Sequence, residues 1–240
     1  MKQVITIVFI SIQLFCLSQN PMNEEFQKNF TPDNEEHIEY YKSGHLKYKY
    51  TKKNKNLEGE YLHFFKNGQI DDSSYFENGH YNGTNKLYNK KGKLIREERF
   101  KHDTLLYIRD IHYYKNGNMY FERYLSFNSD SLKTFPFLNS KVASLSPRLN
   151  WNVELSVKNL KSTGKYIEYF KSGKLSSEIP LINNISEGIG KGYYDDGSLY
   201  FEGTYSKDKE DGMFTYYSAT GQITKIETWK EGKLIKTEEK

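Results

Sequence analysis

The stretch that decides the fold is Tyr169-Phe170-Lys171-Ser172-Gly173-Lys174-Leu175, because the chain repeats it along its length. It consists of an aromatic pair, a short polar turn that ends in glycine, and an aliphatic residue two places later. Seven copies occur, and their turn glycines are Gly44, Gly68, Gly92, Gly117, Gly173, Gly197 and Gly221. Successive glycines are 24, 24, 25, 56, 24 and 24 residues apart. A fixed period in this range indicates a repeat architecture.

Two positions in every copy predict a β-hairpin with a defined loop, when each copy is numbered from its turn glycine as position 0. Position −4 is always aromatic, as Tyr40, Phe64, Tyr88, Tyr113, Tyr169, Tyr193 and Tyr217. Position +2 is always Leu, Ile or Met, as Leu46, Ile70, Leu94, Met119, Leu175, Leu199 and Ile223. A three-residue loop pairs −4 with +2, whereas a two-residue loop would pair −4 with +3, where Lys47, Asp71 and Ser176 lie. We predict the three-residue loop, whose last residue needs the positive φ that glycine tolerates.

A second turn is predicted at position +11, where Gly, Asn or Asp occurs in every copy except the first, which has Lys55. These residues enter the left-handed conformation most easily. Position +8, just before this turn, is apolar in all but the first copy, and position −9 is glycine in five copies. Because side chains alternate along a strand, we expect +2, +8 and −4 to share one face of the sheet.

The predicted fold class is all-β, an elongated array of antiparallel hairpins in a single twisted sheet. Residues 38–125 form a first array of four repeats, and residues 163–240 form a second array of three. Between them, residues 126–162 are predicted to hold an insertion and a degenerate eighth repeat with Leu145, Trp151 and Val157 at −4, +2 and +8. The alternative is an unrelated linker that separates two arrays.

The beginning of the chain has the pattern of a secretory signal. Lys2 precedes an apolar run that ends near Leu17, and small residues flank a cleavage point after Ser18. We predict a signal peptide at 1–18, a flexible leader at 19–37, and a secreted, periplasmic or cell-surface protein. A retained membrane anchor, lipidation of Cys16, and an ordered N-terminal cap formed through Phe26 and Phe30 are the alternatives.

Composition and motifs argue against several function classes. The net charge is only +4 and no block of like charge occurs, so nucleic acid is not an expected partner. Cleavage of the signal would remove the only cysteine, and no nucleophile, phosphate-loop or zinc-protease motif is present. The repeated Glu at +5 (Glu97, Glu122, Glu178, Glu202) indicates a surface ladder, and the six histidines lack zinc-ligand spacing and are expected to be solvated. We predict no catalytic residue, no metal and no cofactor.

The phrase Tyr-Tyr-x-x-Gly-x-Leu, followed by Glu and an aromatic residue before the second turn, resembles the MORN-repeat variant. The resemblance covers residues 38–125 and 163–235, with Tyr193 to Tyr205 as a representative unit. Tyr-Asp repeats of large secreted shell proteins and Trp-rich cell-wall-binding hairpins share parts of the phrase, but the period favours the MORN variant. Bacterial proteins of this kind are grouped with YwqK-like antitoxins, which implies a non-enzymatic, protein-binding role.

Two functions are therefore expected. The first is a secreted or envelope scaffold that engages a protein partner through its β-repeat surface and is antitoxin-like or immunity-like. The alternative is binding of cell-envelope glycan by an aromatic ladder. The candidate surface consists of Tyr40, Phe64, Tyr88, Tyr113, Trp151, Tyr169, Tyr193 and Tyr217. No membrane span is expected after signal cleavage.

Overall fold

A computed structural model describes residues 34–127 and 161–240 of the 240-residue chain. The described residues form strands and turns only. The strands are β1 Asn34–Tyr40, β2 Leu46–Lys53, β3 Asn56–Phe64, β4 Ile70–Glu77, β5 His80–Tyr81, β6 Gly83–Tyr88, β7 Leu94–Lys101, β8 Thr104–Tyr113, β9 Met119–Phe127, β10 Ser162–Tyr169, β11 Leu175–Ile182, β12 Ile185–Ser186, β13 Gly188–Tyr193, β14 Leu199–Ser206, β15 Lys209–Tyr217, β16 Ile223–Lys230 and β17 Lys233–Glu239.

All of these strands belong to one antiparallel sheet in which each row pairs with the next row along the chain. β5 and β6 both pair with β4, and β12 and β13 both pair with β11, so each of these short pairs forms one interrupted row. Among the described strands, β1 pairs only with β2 and β17 pairs only with β16, so the sheet is open. The predicted all-β array of hairpins is confirmed.

The glycine loop has the predicted geometry in all seven copies. The turn glycines have positive φ, between 74° at Gly92 and 95° at Gly117. In the first copy the amide of Gly44 donates to the carbonyl of Tyr41 at 2.9 Å, and the amide of Tyr41 donates to the carbonyl of His45 at 2.8 Å. The −4 residue pairs with the +2 residue in every hairpin, from Tyr40 with Leu46 to Tyr217 with Ile223. The three-residue loop is therefore confirmed.

The second turn is a two-residue loop at +10 and +11 with positive φ at both residues, which defines the tight hairpin turn that matches strand twist. Its residue pairs are Asn54-Lys55, Asn78-Gly79, His102-Asp103, Asn183-Asn184, Lys207-Asp208 and Glu231-Gly232. Lys55, which departs from the residue pattern, still has a φ of 68°. Closure of the hairpin therefore imposes the left-handed conformation even on residues that do not favour it.

The predicted sharing of one face by −4, +2 and +8 is wrong. A bulge follows each glycine loop: Phe64 pairs with Ile70, but the preceding residue, His63, pairs with Asp72, which leaves Asp71 as an extra residue. One extra residue reverses the alternation of side chains along the rest of the strand. Positions +4, +6 and +8 therefore share one face with −5, −7 and −9, whereas −4 and +2 lie on the other. We call these the core face and the reverse face.

The core face carries the two clusters of buried apolar side chains among the described residues. One consists of Leu57, Tyr61 and Phe76, and the other of Phe100, Leu105, Ile108, Leu125, Phe127 and Leu181. Aromatic contacts link successive repeats, with ring centroids 4.4 Å apart for Phe76 and Tyr81 and 5.3 Å apart for Tyr81 and Phe100. The sheet is thus stabilised by side chains that touch across neighbouring strands.

The repeat around Gly117 has a different register from the others. Its position −9 is Ile108, where five other copies have glycine. Where β3 pairs with β2, β3 has two extra residues that form a bulge near position −9. Where β8 pairs with β7, β8 has only one extra residue. As a result Arg96 at +4 pairs with Asp110, whereas Asp72, also at +4, pairs with Leu87 at the usual −5.

The two arrays are joined directly, because β9 pairs with β10 from Phe127–Ser162 to Phe121–Glu168. The predicted signal peptide, the degenerate repeat and Trp151 lie outside the described residues. The first strand begins at Asn34, so residues 34–37 of the predicted leader belong to the sheet instead. In the described ranges, no helix is long and apolar enough to cross a membrane.

Candidate functional site

The predicted aromatic ladder at −4 lies on the reverse face and is bound into the sheet. Tyr40 is 51% exposed, and the other described members are half-buried. The hydroxyl of Tyr169 donates to Glu122 at 2.5 Å, that of Tyr193 to Glu178 at 3.1 Å, and that of Tyr217 to Glu202 at 3.0 Å. Each bond joins position −4 of one repeat to +5 of the repeat before it. The ladder therefore ties neighbouring repeats together, and its role in binding stays a prediction.

The glutamates at +5 have a structural role that follows from the same bonds. Glu178 also accepts a hydrogen bond from Lys165 at 2.8 Å, which lowers the pKa of its carboxyl group. Burial, together with the bond to Glu178, raises the pKa of Tyr193. Glu122 is buried and accepts from Arg109 at 2.6 Å, so it is not the surface residue that the repeat pattern predicted.

Sequence reasoning missed a row of charged side chains on the core face. Asp72 is 1% exposed and Glu98 is 2% exposed. Arg96 binds Glu98 at 2.7 Å and Asp110 at 3.4 Å, and Arg123 binds Asp110 at 2.7 Å. Asp72, Arg96 and Glu98 occupy +4 and +6, which share the parity of the apolar position +8, so side-chain alternation places them on the core face. Two sequence features could have indicated the changed register that brings Asp110 next to Arg96. These are the spacing of 25 residues before Gly117 and the absence of glycine at its position −9.

Asp72 is the most isolated of these acids. Ser74 donates its hydroxyl to Oδ1 of Asp72 at 2.9 Å, and Oδ2 has no hydrogen-bond partner among the described residues. Burial raises the pKa of Asp72 to about 7. A lone buried carboxylate is costly, so the neutral acid is favoured at this position.

His63 is buried, which corrects the expectation of solvated histidines. Its Nδ1 lies 3.0 Å from Oδ2 of Asp71, and its Nε2 lies 3.3 Å from the hydroxyl of Tyr41. That hydroxyl donates its proton to the carbonyl of Phe64 at 2.7 Å, so its oxygen is left to accept. Both ring nitrogens thus lie close to oxygen atoms of neighbouring side chains. In the described ranges, no three His, Cys, Asp or Glu residues are grouped so that they could hold a metal ion.

A groove of about 520 Å³ crosses the core face where the two arrays meet, and we call it the junction groove. It is lined by Asp110, His112, Phe121, Arg123, Tyr166, Ile179, Leu181, Asn184, Ser186 and Asp208. The rings of His112 and Phe121 stack with centroids 4.2 Å apart, and those of Phe121 and Tyr166 with centroids 5.3 Å apart. Five strands and two turns contribute to this surface.

One small residue accounts for the opening of the junction groove. Position +13 is Leu57, Tyr81 and Leu105 in the first three repeats, and all three pack in or against the apolar clusters. In the repeat of Gly173 the same position is Ser186, which pairs with Leu181. A serine fills less space above Leu181 than a leucine or tyrosine would, so the surface remains concave there.

A second departure from the pattern produces an apolar patch on the reverse face, which we call the reverse-face patch. Ile182 and Ile185 pair across the second turn at +9 and +12, where the other copies have mostly charged or polar residues. Ile189 and Met213 both occupy position −8 and are 60% and 59% exposed. Exposed apolar side chains of this size in one region typically mark an interaction surface.

These features define an all-β hairpin-repeat protein. A family model described as the MORN repeat variant matches residues 162–183 and 186–207, which are the β10–β11 hairpin and the segment from β12 to β14. The chain therefore contains MORN-variant repeats, as the hairpin phrase predicted. The antitoxin grouping goes beyond this match.

Other comparisons add little to this assignment. No curated protein matches the chain. Among solved structures, the chain is similar to the crystal structure of TcdB2-TccC3-Cdc42, with 10% identity, a TM-score of 0.16, and coverage of 83% of this chain and 13% of that one. The structure of TcdB2-TccC3 matches with 10% identity, a TM-score of 0.15, and coverage of 84% and 13%. The chain spans only this small share of either protein.

Proposed function

We propose that this chain is a non-enzymatic binding protein of the cell envelope or the secreted fraction, which holds a protein partner on its β-repeat surface. The observation that carries the proposal is the reverse-face patch, with Ile182, Ile185, Ile189 and Met213 exposed on one side of the second array. The location is proposed from the signal-like sequence at 1–18.

The shape and chemistry of the patch favour a folded protein as the partner. A β-sheet face is broad and shallow, and exposed isoleucine and methionine on such a face match the apolar centre of a protein interface. The same rows of the first array carry charged residues, for example Glu60 at −8 and Lys101 at +9. A partner would therefore contact the second array and be oriented by the charged surface beside it.

The antitoxin-like or immunity-like role is a finer form of this proposal, and it rests on the resemblance of the repeats. We rank glycan binding by the aromatic ladder second, because several ladder hydroxyls already donate hydrogen bonds inside the sheet. The proposal assigns no catalytic step to any residue.

The test uses the full chain as bait against a native envelope extract, followed by reconstitution with the purified partner. We expect Ile189→Lys with Met213→Lys to weaken the complex about tenfold or more, since a charge placed in an interface centre is costly. The matched control is Tyr75→Lys, an exposed residue on the same face of the first array, which should leave affinity unchanged. Equal affinity of the patch variant and the native chain would refute the proposal. For the antitoxin form, the purified partner should also be toxic alone and harmless in the complex.

A further inference from the structure

We infer that the junction groove is a binding site for a neutral saccharide of one or two pyranose rings. The site lies on the core face, away from the reverse-face patch, and uses none of the residues of the aromatic ladder. It is therefore independent of the proposed protein-binding function.

Two charged residues of the junction groove, Asp110 and Arg123, are already paired with one another. Asp110 lies between Arg96 and Arg123, and Arg123 also donates to Oδ1 of Asn184 at 3.2 Å. Asp208 accepts a hydrogen bond from the amide of Ser186 at 2.7 Å through Oδ1. An ionic ligand would therefore gain little from Asp110 or Arg123, since these two groups already compensate each other.

Paired groups still offer hydrogen bonds to hydroxyls. A carboxylate has about four lone-pair positions, and a guanidinium has five donor hydrogens, so each can serve a ligand in addition to its protein partner. Asp110, Arg123, Asn184, Ser186 and Asp208 supply both acceptors and donors around one opening. A sugar hydroxyl is both a donor and an acceptor. A polyhydroxyl ring therefore matches this mixed set better than a ligand that carries only donors or only acceptors.

The junction groove also has apolar lining residues, which lie beside the polar ones. Phe121, Tyr166, Ile179 and Leu181 line it, and the stacked rings of Phe121 and Tyr166 form a stiff wall. A pyranose has C–H groups on its faces and hydroxyls on its edge, so it can contact the apolar and the polar lining residues at once. The volume of about 520 Å³ lies within the range of roughly 300–1,000 Å³ that is usual for small-molecule sites.

The experiment is a calorimetric titration of the full chain with four neutral probes: N-acetylglucosamine, its disaccharide, cellobiose and maltose. We expect at least one probe to bind, and Ser186→Leu to weaken that binding about tenfold or more by filling the groove. The substitution copies the leucine that Leu57 and Leu105 place at the same register, so the fold should accept it. The matched control is Glu210→Leu, at the same register outside the groove, and its affinity should equal that of the native chain.

A second variant keeps the test decisive if Ser186→Leu does not fold. Phe121→Leu keeps an apolar side chain but removes the aromatic wall, and it should also weaken saccharide binding. The inference is overturned if no probe binds, if both variants bind as tightly as the native chain, or if tetralysine or inorganic phosphate binds in place of the sugars. The variant Ile189→Lys with Met213→Lys should retain saccharide binding, which separates failure here from failure of the proposed protein-binding function.

Discussion

Asp72, the residue that follows the bulge after Gly68, differs from an exposed aspartate in its acid–base chemistry. Its carboxyl group is turned to the core face, where burial raises its pKa to about 7, while Asp71 beside it pairs with His63. In the unfolded chain the same group would titrate near its usual value. The folded state therefore binds a proton at Asp72 that the unfolded state releases at mild acidity.

The sign of this difference predicts a loss of stability as pH rises. Between about pH 4 and pH 7 the folded chain holds the proton and the unfolded chain does not, so the free energy of unfolding should fall by up to roughly 1.4 kcal/mol per pH unit from this group. Urea unfolding at intervals from pH 4 to 8 measures the slope. Asp72→Asn should flatten it, whereas Asp211→Asn, at a residue paired with Lys230 near the surface, should not. A slope that survives in Asp72→Asn would show that other groups cause it.

Gly203 is the second residue whose identity follows from packing. A Cβ added there would overlap the ring of Phe214, which lies over the glycine on the core face. We predict that Gly203→Ala lowers the free energy of unfolding by about 1–3 kcal/mol. When Phe214→Leu is also present, Gly203→Ala should lower the free energy of unfolding by less. Additive losses in a double-mutant cycle would contradict this explanation.

At the scale of the element, the two kinds of loop have different sequence requirements. The glycine loop needs a left-handed residue only at position 0, whereas the second turn needs positive φ at both +10 and +11. Lys207 is at +10 with a φ of 52°, although lysine has no preference for this conformation. The hairpin therefore carries a small local strain that its strand pairing overcomes.

We predict that relief of this strain stabilises the β14–β15 hairpin. Lys207→Gly should raise the free energy of unfolding by about 0.5–1 kcal/mol, because glycine adopts positive φ without steric cost. Lys209→Gly, two residues later at the start of β15, should lower it by about 0.5–1 kcal/mol, because glycine loses more conformational freedom than lysine when the strand forms. Thermal unfolding of the two variants distinguishes the cases, and a loss in both would mean that turn strain is negligible here.

At the scale of the whole molecule, the sheet is a row of units in which each strand touches mainly its neighbours. Stability in such an array is distributed unevenly, and local opening is easiest where few apolar contacts are made. The best-buried cluster spans β7 to β11 around Leu105 and Leu125, whereas nearly all of β17 is exposed. The direct pairing of β9 with β10 places this cluster in the middle of the array.

This distribution predicts a gradient of amide hydrogen exchange. Amides of β8, β9 and β10 should exchange slowest, and those of β1 and β17 fastest, because the edge strands have one recorded neighbour each. Exchange followed by mass spectrometry on the native chain measures the order. Uniform protection across the sheet would indicate that it unfolds as a single cooperative unit instead.

The sequence by itself determined the hairpin, the loop type, the pairing of −4 with +2 and the position of the second turn. These features depend on backbone preferences within about ten residues, so the local pattern of Gly, Asn and aromatic residues is enough to predict them. Repetition then made a weak signal strong, since seven copies agreed. Ile182, Ile185 and Ser186 also depart from the residue pattern of the other copies, but the sequence did not predict that they would form a patch or border a groove.

Only the tertiary structure decided which face each residue occupies and where a site can form. A bulge of one residue reverses every side chain that follows it, and its presence depends on how two strands pair rather than on the preference of either one. That reversal placed the aromatic ladder on the reverse face, away from the face on which Asp72 and Glu98 are buried, and the changed register of β8 brought Asp110 between two arginines. The junction groove follows from the changed register of β8, the direct pairing of β9 with β10 and the small side chain of Ser186, three conditions that no single stretch of sequence contains.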